Sequence, residues 1–403
     1  MDKASEKTHI EKTEKETIPS FMDQLGPILF LTSILFFNFL GRIVFSPLMP
    51  TIENDLGLTH ANAGMLFLMI SLGFFLSLIG SGFISCRIGH KKTIVTSAIA
   101  VGFMLWVLST CENLWGMRVG MFLLGLGAGL YLPSGIASVT SIVQPRHWGK
   151  ALAVHELAPN LSFVLAPLLA EGLMRWFSWR GVLLSLGICC LLTGMAFARF
   201  GKGAEGYGMA PSFSSFKALF RERSFWIMIL LFSLGITGTL GIYTMLPLYL
   251  VAEHGIERNW ANTVVALSRI SGLFMAFLAG WASDRVGPKK AMGVVFLITG
   301  ILTILLGSLP SSWLVLIIFL QPAVAVCFFP PGFAALSSIG PPNARNVAVS
   351  LTVPAAFVIG GGAIPVGIGM MGDAGSLGLG ISLAGGLVGM GFLLAFFLKT
   401  SRS

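Results

Sequence analysis

Twelve apolar runs, each long enough to cross a bilayer and each closed off by charge, Gly-Pro or polar clusters, leave this chain few choices of fold. They fall at 26–50, 61–84, 92–110, 115–142, 149–173, 180–200, 225–251, 261–283, 290–309, 312–339, 347–371 and 377–398. A helix needs roughly 20 apolar residues to span the hydrocarbon core. There, every backbone N–H and C=O must find its partner inside the protein. The fold class expected is therefore all-α integral membrane, with twelve transmembrane helices. Composition agrees: 11% of residues are Asp, Glu, Lys or Arg, against roughly 25% in soluble domains. Ten of the 43 charged side chains sit in residues 1–23, which mix Lys and Glu without an apolar stripe. Residues 1–25 are expected to be a disordered cytoplasmic tail, and no stretch is left for a separate soluble catalytic domain.

The net charge of +9 is read as topology before nucleic-acid binding, because of where the cations fall. With the N-terminus inside, twenty of the 26 Lys and Arg lie in inside segments and four outside, namely Arg118, Arg175, Arg180 and Arg258. Such a bias predicts both termini in the cytoplasm, in a multi-pass protein of a prokaryotic inner (plasma) membrane. The five cysteines form no C-x-x-C pair and have no neighbouring His cluster. Neither a disulfide framework, a metal site nor a cofactor is expected.

The segment GFISCRIGHKK at 82–92 returns as GWASDRVGPKK at 280–290, an offset of 198 that also carries Trp115 to Trp313 and Pro167 to Pro365. At 197, LPSG (132–135) meets FPPG (329–332). One six-helix unit occurs twice, as an N-terminal bundle (26–200) and a C-terminal bundle (225–398). A Gly-rich, basic cytoplasmic linker (201–224) joins them, and 399–403 form a cytoplasmic end. An even number of spans per half makes these parallel repeats, giving two bundles related by a pseudo-two-fold axis along the membrane normal.

At this point the chain resembles the major facilitator superfamily over 26–398. The loop motif G-x-x-x-D-R-x-G-x-[KR]-[KR] is met by Gly280, Asp284, Arg285, Gly287, Lys289 and Lys290, and a glycine run, Gly125, Gly127 and Gly129 with Pro133, marks the fourth helix. The resemblance implies alternating access about a central site, with cavity walls from helices 1, 4, 7 and 10. It also implies a gate at the motif loops, formed by Asp284 and Arg285 in one copy and Arg87 and Cys86 in the other. Three departures stand out. Cys86 replaces the motif's Asp, Met121 stands where many members carry Arg, and the fifth helix lacks the G-x-x-x-G-P signature common in drug antiporters.

Two charges sit where a bilayer penalises them. Arg42 and Arg269 lie roughly 24 and 12 Å from their entry faces at 1.5 Å per residue, and each costs on the order of 2.5 to 3.5 kcal/mol on the insertion scale. Two cations, one from each half, are best explained by an anionic substrate held between the bundles. Asn38 shares the Arg42 stripe, and Tyr243, Tyr131 and Gln321 are the polar candidates on helices 7, 4 and 10. In the fifth helix, Glu156 is the one acidic residue well inside a span, because Glu53, Asp55, Glu171 and Asp373 fall near outer ends. Its charge state is a natural switch. Asn160, four residues on, shares its face, and His155 lies about 100° away. These three are the proton-coupling candidates, with Glu156 expected to pair with an arginine in the empty carrier.

The function expected is proton-coupled symport, in the uptake direction, of a small organic anion such as a carboxylate. The partners expected are that anion, protons and lipid; nucleic acid is excluded and a monomer expected. An inorganic-anion carrier is an alternative, since GKALAVHELAPNLS at 149–162 aligns with the nitrate/nitrite carrier segment. A proton-driven exporter of amphiphilic compounds is disfavoured by two midplane arginines, and a non-transporting receptor by short termini. An enzyme is excluded by the lack of a nucleophile–base pair or a metal-ligand cluster.

Overall fold

The computed structural model describes residues 21–202, 206–208, 219–339 and 345–398. Tail residues 1–20, most of the 201–224 linker and the end 399–403 lie outside the described residues. Twelve helices are long and apolar enough to span a membrane. They are α1 (Phe21–Leu56), α2 (His60–Ile88), α3 (His90–Ser109), α4 (Leu114–Ile142), α5 (Pro145–Met174) and α6 (Trp179–Phe200) in the first half. In the second are α7 (Arg223–Ala252), α8 (Arg258–Val286), α9 (Pro288–Ser308), α10 (Ser311–Leu336), α11 (Ala348–Asp373) and α12 (Leu377–Phe396). Among the described residues there is no strand. The first helix begins at Phe21, five residues before the apolar run, so residues 21–25 are helical rather than part of a tail.

Inside lipid the hydrophobic effect does not press helices together, so close approach of small residues has to. The 198 repeat shows where this happens. A Cβ added at Gly102 in α3 would stand 2.7 Å from the Gly187 carbonyl of α6. A Cβ added at its repeat mate Gly300 in α9 would stand 2.5 Å from Gly389 Cα of α12, and one at Gly385, the mate of Gly187, 2.6 Å from the Ile304 nitrogen. The same residue type at equivalent positions packs the same pair of helices in both halves. The motif glycines Gly89 and Gly287 are also repeat mates. Both stand at positive φ, +82° and +87°, turning α2 into α3 and α8 into α9, a conformation other residues resist.

Several spans break just before a proline. α1, α4 and α5 are interrupted at Val44, Leu130 and Glu156, each three residues before a proline (Pro47, Pro133 and Pro159), whose missing N–H frees a carbonyl one turn back. A 3-10 turn at Val326–Phe328 precedes Pro330 and Pro331 in α10. Three further breaks occur. α8 is interrupted at Arg269 without a proline, and π-helical turns occur at Thr237–Gly241 in α7 and Ile359–Ala363 in α11. The two π turns pack against each other through Gly241 and Gly360.

Candidate functional site

Arg42 is the penultimate residue of the first segment of α1, just before the break at Val44. Its guanidinium lies 4.7 Å from the Phe39 ring centroid and 4.2 Å from that of Phe74 in α2. It borders a cavity of about 30 Å³ between the two halves, walled by α1 and α2 on one side and by Leu240, Thr244, Phe357 and Gly361 of α7 and α11 on the other. The Nε of Arg42 is buried without a hydrogen-bond partner.

Arg269 occupies the break in α8. One guanidinium nitrogen donates to the Thr239 carbonyl at 3.1 Å, one of the carbonyls in the π turn of α7, where the helical hydrogen-bond pattern shifts. The plane lies 4.7 Å from the Tyr243 centroid and 5.3 Å from Phe163 in α5, and its Nε also lacks a partner. Phe163 meets Tyr243 at 4.9 Å and Phe39 at 5.3 Å, both edge to face. The two arginines therefore flank one aromatic wall, Phe74 and Phe39 beside Arg42, Phe163 and Tyr243 beside Arg269. Among the described residues neither arginine is paired with a carboxylate.

Of the uncharged candidates, only Tyr243 joins this wall. Asn38 donates to Ser97 Oγ at 3.1 Å and to the Ala128 carbonyl at 3.3 Å, tying α1 to α3 and α4. Gln321 donates to the Gly238 carbonyl at 2.7 Å and to Thr303 Oγ1 at 3.1 Å, tying α10 to α7 and α9. These are the same three helices of each half, held by one amide. Tyr131 is buried within the first bundle, its hydroxyl 2.7 Å from the Leu31 carbonyl and 3.0 Å from His155 Nε2. The structure thus places Asn38, Tyr131 and Gln321 in ties within a bundle rather than between the bundles. An amide or phenol in a membrane helix binds the nearest backbone carbonyl before it waits for a ligand.

That tie fixes the chemistry of His155. The Leu31 carbonyl can only accept, so it takes the Tyr131 proton and the phenol oxygen accepts from His155 Nε2–H. With the tautomer assigned from this network, the lone pair lies on Nδ1, which is buried without a hydrogen-bond partner and 3.8 Å from Glu156 Oε1. Glu156 sits at the break in α5 with its side chain 57% exposed, and Asn160 donates to its backbone carbonyl at 2.9 Å. Among the described residues Glu156 is paired with no arginine; the His155 ring lies beside it.

A cluster the sequence reading passed over joins the halves at the end carrying the α1–α2 turn. Arg258 at the start of α8 forks onto Glu171 of α5 at 2.9 and 3.1 Å and reaches Thr51 of α1 at 2.9 Å. Asn262 donates to Glu171 at 2.6 Å and to the Pro47 carbonyl at 3.2 Å. Asp373, ending α11, accepts from the N–H groups of His60 and Ala61 that open α2, at 2.8 and 3.1 Å. Ser46 donates to the Tyr243 carbonyl at 2.8 Å. In the sequence Glu171 lies near a span end and Arg258 in a loop, and a separation of 87 residues carries no local sign of pairing. At the opposite, charged end, Asp284, Arg285 and Arg87 are exposed and Cys86 is half-buried. Arg285 stacks on Trp281 at 4.1 Å, Cys86 bonds back to the Phe83 carbonyl at 3.1 Å, and Asp284 has no ion pair among the described residues.

The profile of the Major Facilitator Superfamily matches residues 31–365. The chain belongs to that superfamily, is a multi-pass membrane transporter and is not an enzyme. It is 23% identical to the probable L-galactonate transporter of Escherichia coli K12 over 64% of this chain, a match that spans only 60% of that protein. It is also 23% identical to the 4-hydroxybenzoate transporter PcaK of Pseudomonas aeruginosa, over 66% of this chain and 68% of the relative. Among solved structures, a D-xylose-proton symporter superposes with a TM-score of 0.77 over 94% of this chain and 97% of that one, at 17% identity, a likeness of fold.

Proposed function

We propose that this protein is a proton-coupled symporter that carries a small organic anion, a carboxylate foremost, into the cell by alternating access. The observation that carries the reading is the pair of buried guanidiniums, Arg42 and Arg269, one from each half, with unpartnered Nε groups and no carboxylate beside them among the described residues. A guanidinium stays charged, so an anion drawn between the halves supplies what the fold leaves out. The relatives named for galactonate and 4-hydroxybenzoate accord with an organic anion. The excess of Lys and Arg at the end of the α2–α3 and α8–α9 turns supports a cytoplasmic location for that end. The Glu171–Arg258 end, where the halves are joined, then faces out. His155 Nδ1 takes the proton, with Glu156 stabilising the imidazolium.

The experiment is thermal stability of the purified protein against carboxylates, phosphate, sulfonates, nitrate and cationic dyes, followed by uptake of the best ligand into proteoliposomes. A ligand of the folded state raises its stability. Stabilisation by organic anions, and accumulation driven by an acidic exterior, are expected. Stabilisation by cationic dyes alone would replace uptake with export, and by nitrate alone would make it an inorganic-anion carrier.

A further inference from the structure

The polar groups around the cavity decide more than the sign of the ligand's charge. The wall beside Arg42 is made by Phe39, Phe67, Phe74 and Phe357 with Ile43 and Ile70. The uncharged polar side chains among the lining residues are Ser71 and Thr244, and Thr244 already donates its proton to the Gly241 carbonyl at 2.8 Å. The amides and the phenol that would serve a hydroxylated ligand, Asn38, Gln321 and Tyr131, are spent inside the bundles, and the Tyr243 hydroxyl beside Arg269 donates to the Phe163 carbonyl at 3.4 Å. A sugar acid brings several hydroxyls, and each one buried without a partner lowers affinity about tenfold or more. An inorganic anion would leave the rings unused.

We infer that the substrate is a carboxylate on a flat, apolar body, an aromatic carboxylate, with its charge shared by Arg42 and Arg269 and its ring laid against Phe39 and Phe163. Resting on the anion reading, the inference adds the body to the charge. Aromatic edges and faces meet at 4.5 to 7 Å, and the Phe39–Phe163 contact of 5.3 Å at 70° offers an edge and a face to a third ring. The cavity of about 30 Å³ takes water-sized occupants, so a ring enters as the bundles part.

The test uses the full-length protein in nanodiscs and measures thermal stabilisation by benzoate, cyclohexanecarboxylate, gluconate, succinate, nitrate and benzyl alcohol at equal concentration. Benzoate is expected to give the largest shift, cyclohexanecarboxylate a smaller one, and the others little. Phe39→Leu and Phe163→Leu are expected to weaken benzoate about tenfold, the scale of lost ring contacts, while narrowing the preference for benzoate over cyclohexanecarboxylate. A larger shift with gluconate, succinate or nitrate overturns the aromatic body and leaves the anion reading standing. Stabilisation by benzyl alcohol with none from any anion overturns both. If the variants do not fold, the ligand ranking on the unaltered protein decides.

Discussion

A guanidinium pressed between two rings and short of hydrogen bonds is a poor way to hold a membrane protein together. Burying an unpaired charge lowers stability, whereas an apolar residue of similar shape at such a site is often neutral or favourable. Arg42→Met is therefore expected to stabilise the empty protein by about 1 to 3 kcal/mol while abolishing stabilisation by anions. Loss of stability in the variant would mark Arg42 as a strut. Arg269 has one backbone partner at Thr239, so Arg269→Lys, which lacks the flat fork, should weaken the anion about tenfold and is checked by the same titration. For the proton, His155→Gln and Glu156→Gln should each keep exchange of the anion between two loaded compartments and lose accumulation driven by a pH gradient. Uphill transport at the native rate in both would remove this pair from coupling. The arginines were legible because charge in an apolar run violates solvation. The engagement of Asn38, Tyr131 and Gln321 was not, because it depends on which carbonyl lies across a helix interface, a relation of three dimensions that spacing along one helix does not contain.

Helix breaks and helix contacts followed the same divide. Proline announces its freed carbonyl in the sequence, so the interruptions of α1, α4, α5 and α10 could be expected. The π turn of α7 has no such residue at Thr237–Gly241, whereas that of α11 lies just before Pro365; the two turns meet where Gly241 and Gly360 let two backbones approach. The interface glycines were hidden among 49 until the 198 offset paired Gly102 with Gly300 and Gly187 with Gly385. Gly300→Val should then cost about 1 to 3 kcal/mol through overpacking, read as a lowered Tm, whereas Gly26→Val, with open space around it, should be nearly neutral. Equal effects would mean that the α9–α12 contact adjusts freely. The Glu171–Arg258–Asn262 cluster joins α5 to α8 at the end proposed to face out. Glu171→Gln removes a forked ionic pair whose Arg258 side chain is 31% exposed, so the loss is put at about 1 to 2 kcal/mol after screening. The closed side should open more often, raising labelling of Thr51→Cys by an impermeant maleimide in a background without other thiols. Unchanged labelling would show that the close approach of α2 to α11, where a Cβ added at Gly64 would stand 2.4 Å from the Pro365 carbonyl, holds that side shut by itself.

At the scale of the whole molecule, the two halves are alike in fold and unlike at the charge of the loop motif. Superfamily resemblance implies that the motif's Asp latches the cytoplasmic side across the bundle interface when a carrier faces outward. The second copy keeps Asp284, whereas the first has Cys86, whose thiol is spent on the Phe83 carbonyl at 3.1 Å. A cysteine brings no carboxylate, so the first copy lacks the anion that the resemblance assigns to the latch, while the Glu171–Arg258 cluster keeps its ionic pair. That imbalance favours the arrangement seen here, with the Glu171 end joined and Asp284 without an ion pair among the described residues. Cys86→Asp is expected to return about 1 to 2 kcal/mol to the opposite state, the scale of a partly buried charge at a helix end, and ~1.4 kcal/mol changes a population ratio tenfold. Single cysteines placed on each side of the cavity, in a background free of native thiols, would report it by comparing Cys86→Ser with Cys86→Asp. The aspartate should lower labelling from the charged end and raise it from the other. Combining it with Glu171→Gln should add to the shift, because the two sites lie at opposite ends of the interface and share no partner, the condition under which free energies sum. Identical labelling of the serine and aspartate variants would reduce Cys86 to a packing residue and place control of the equilibrium in the outer cluster alone.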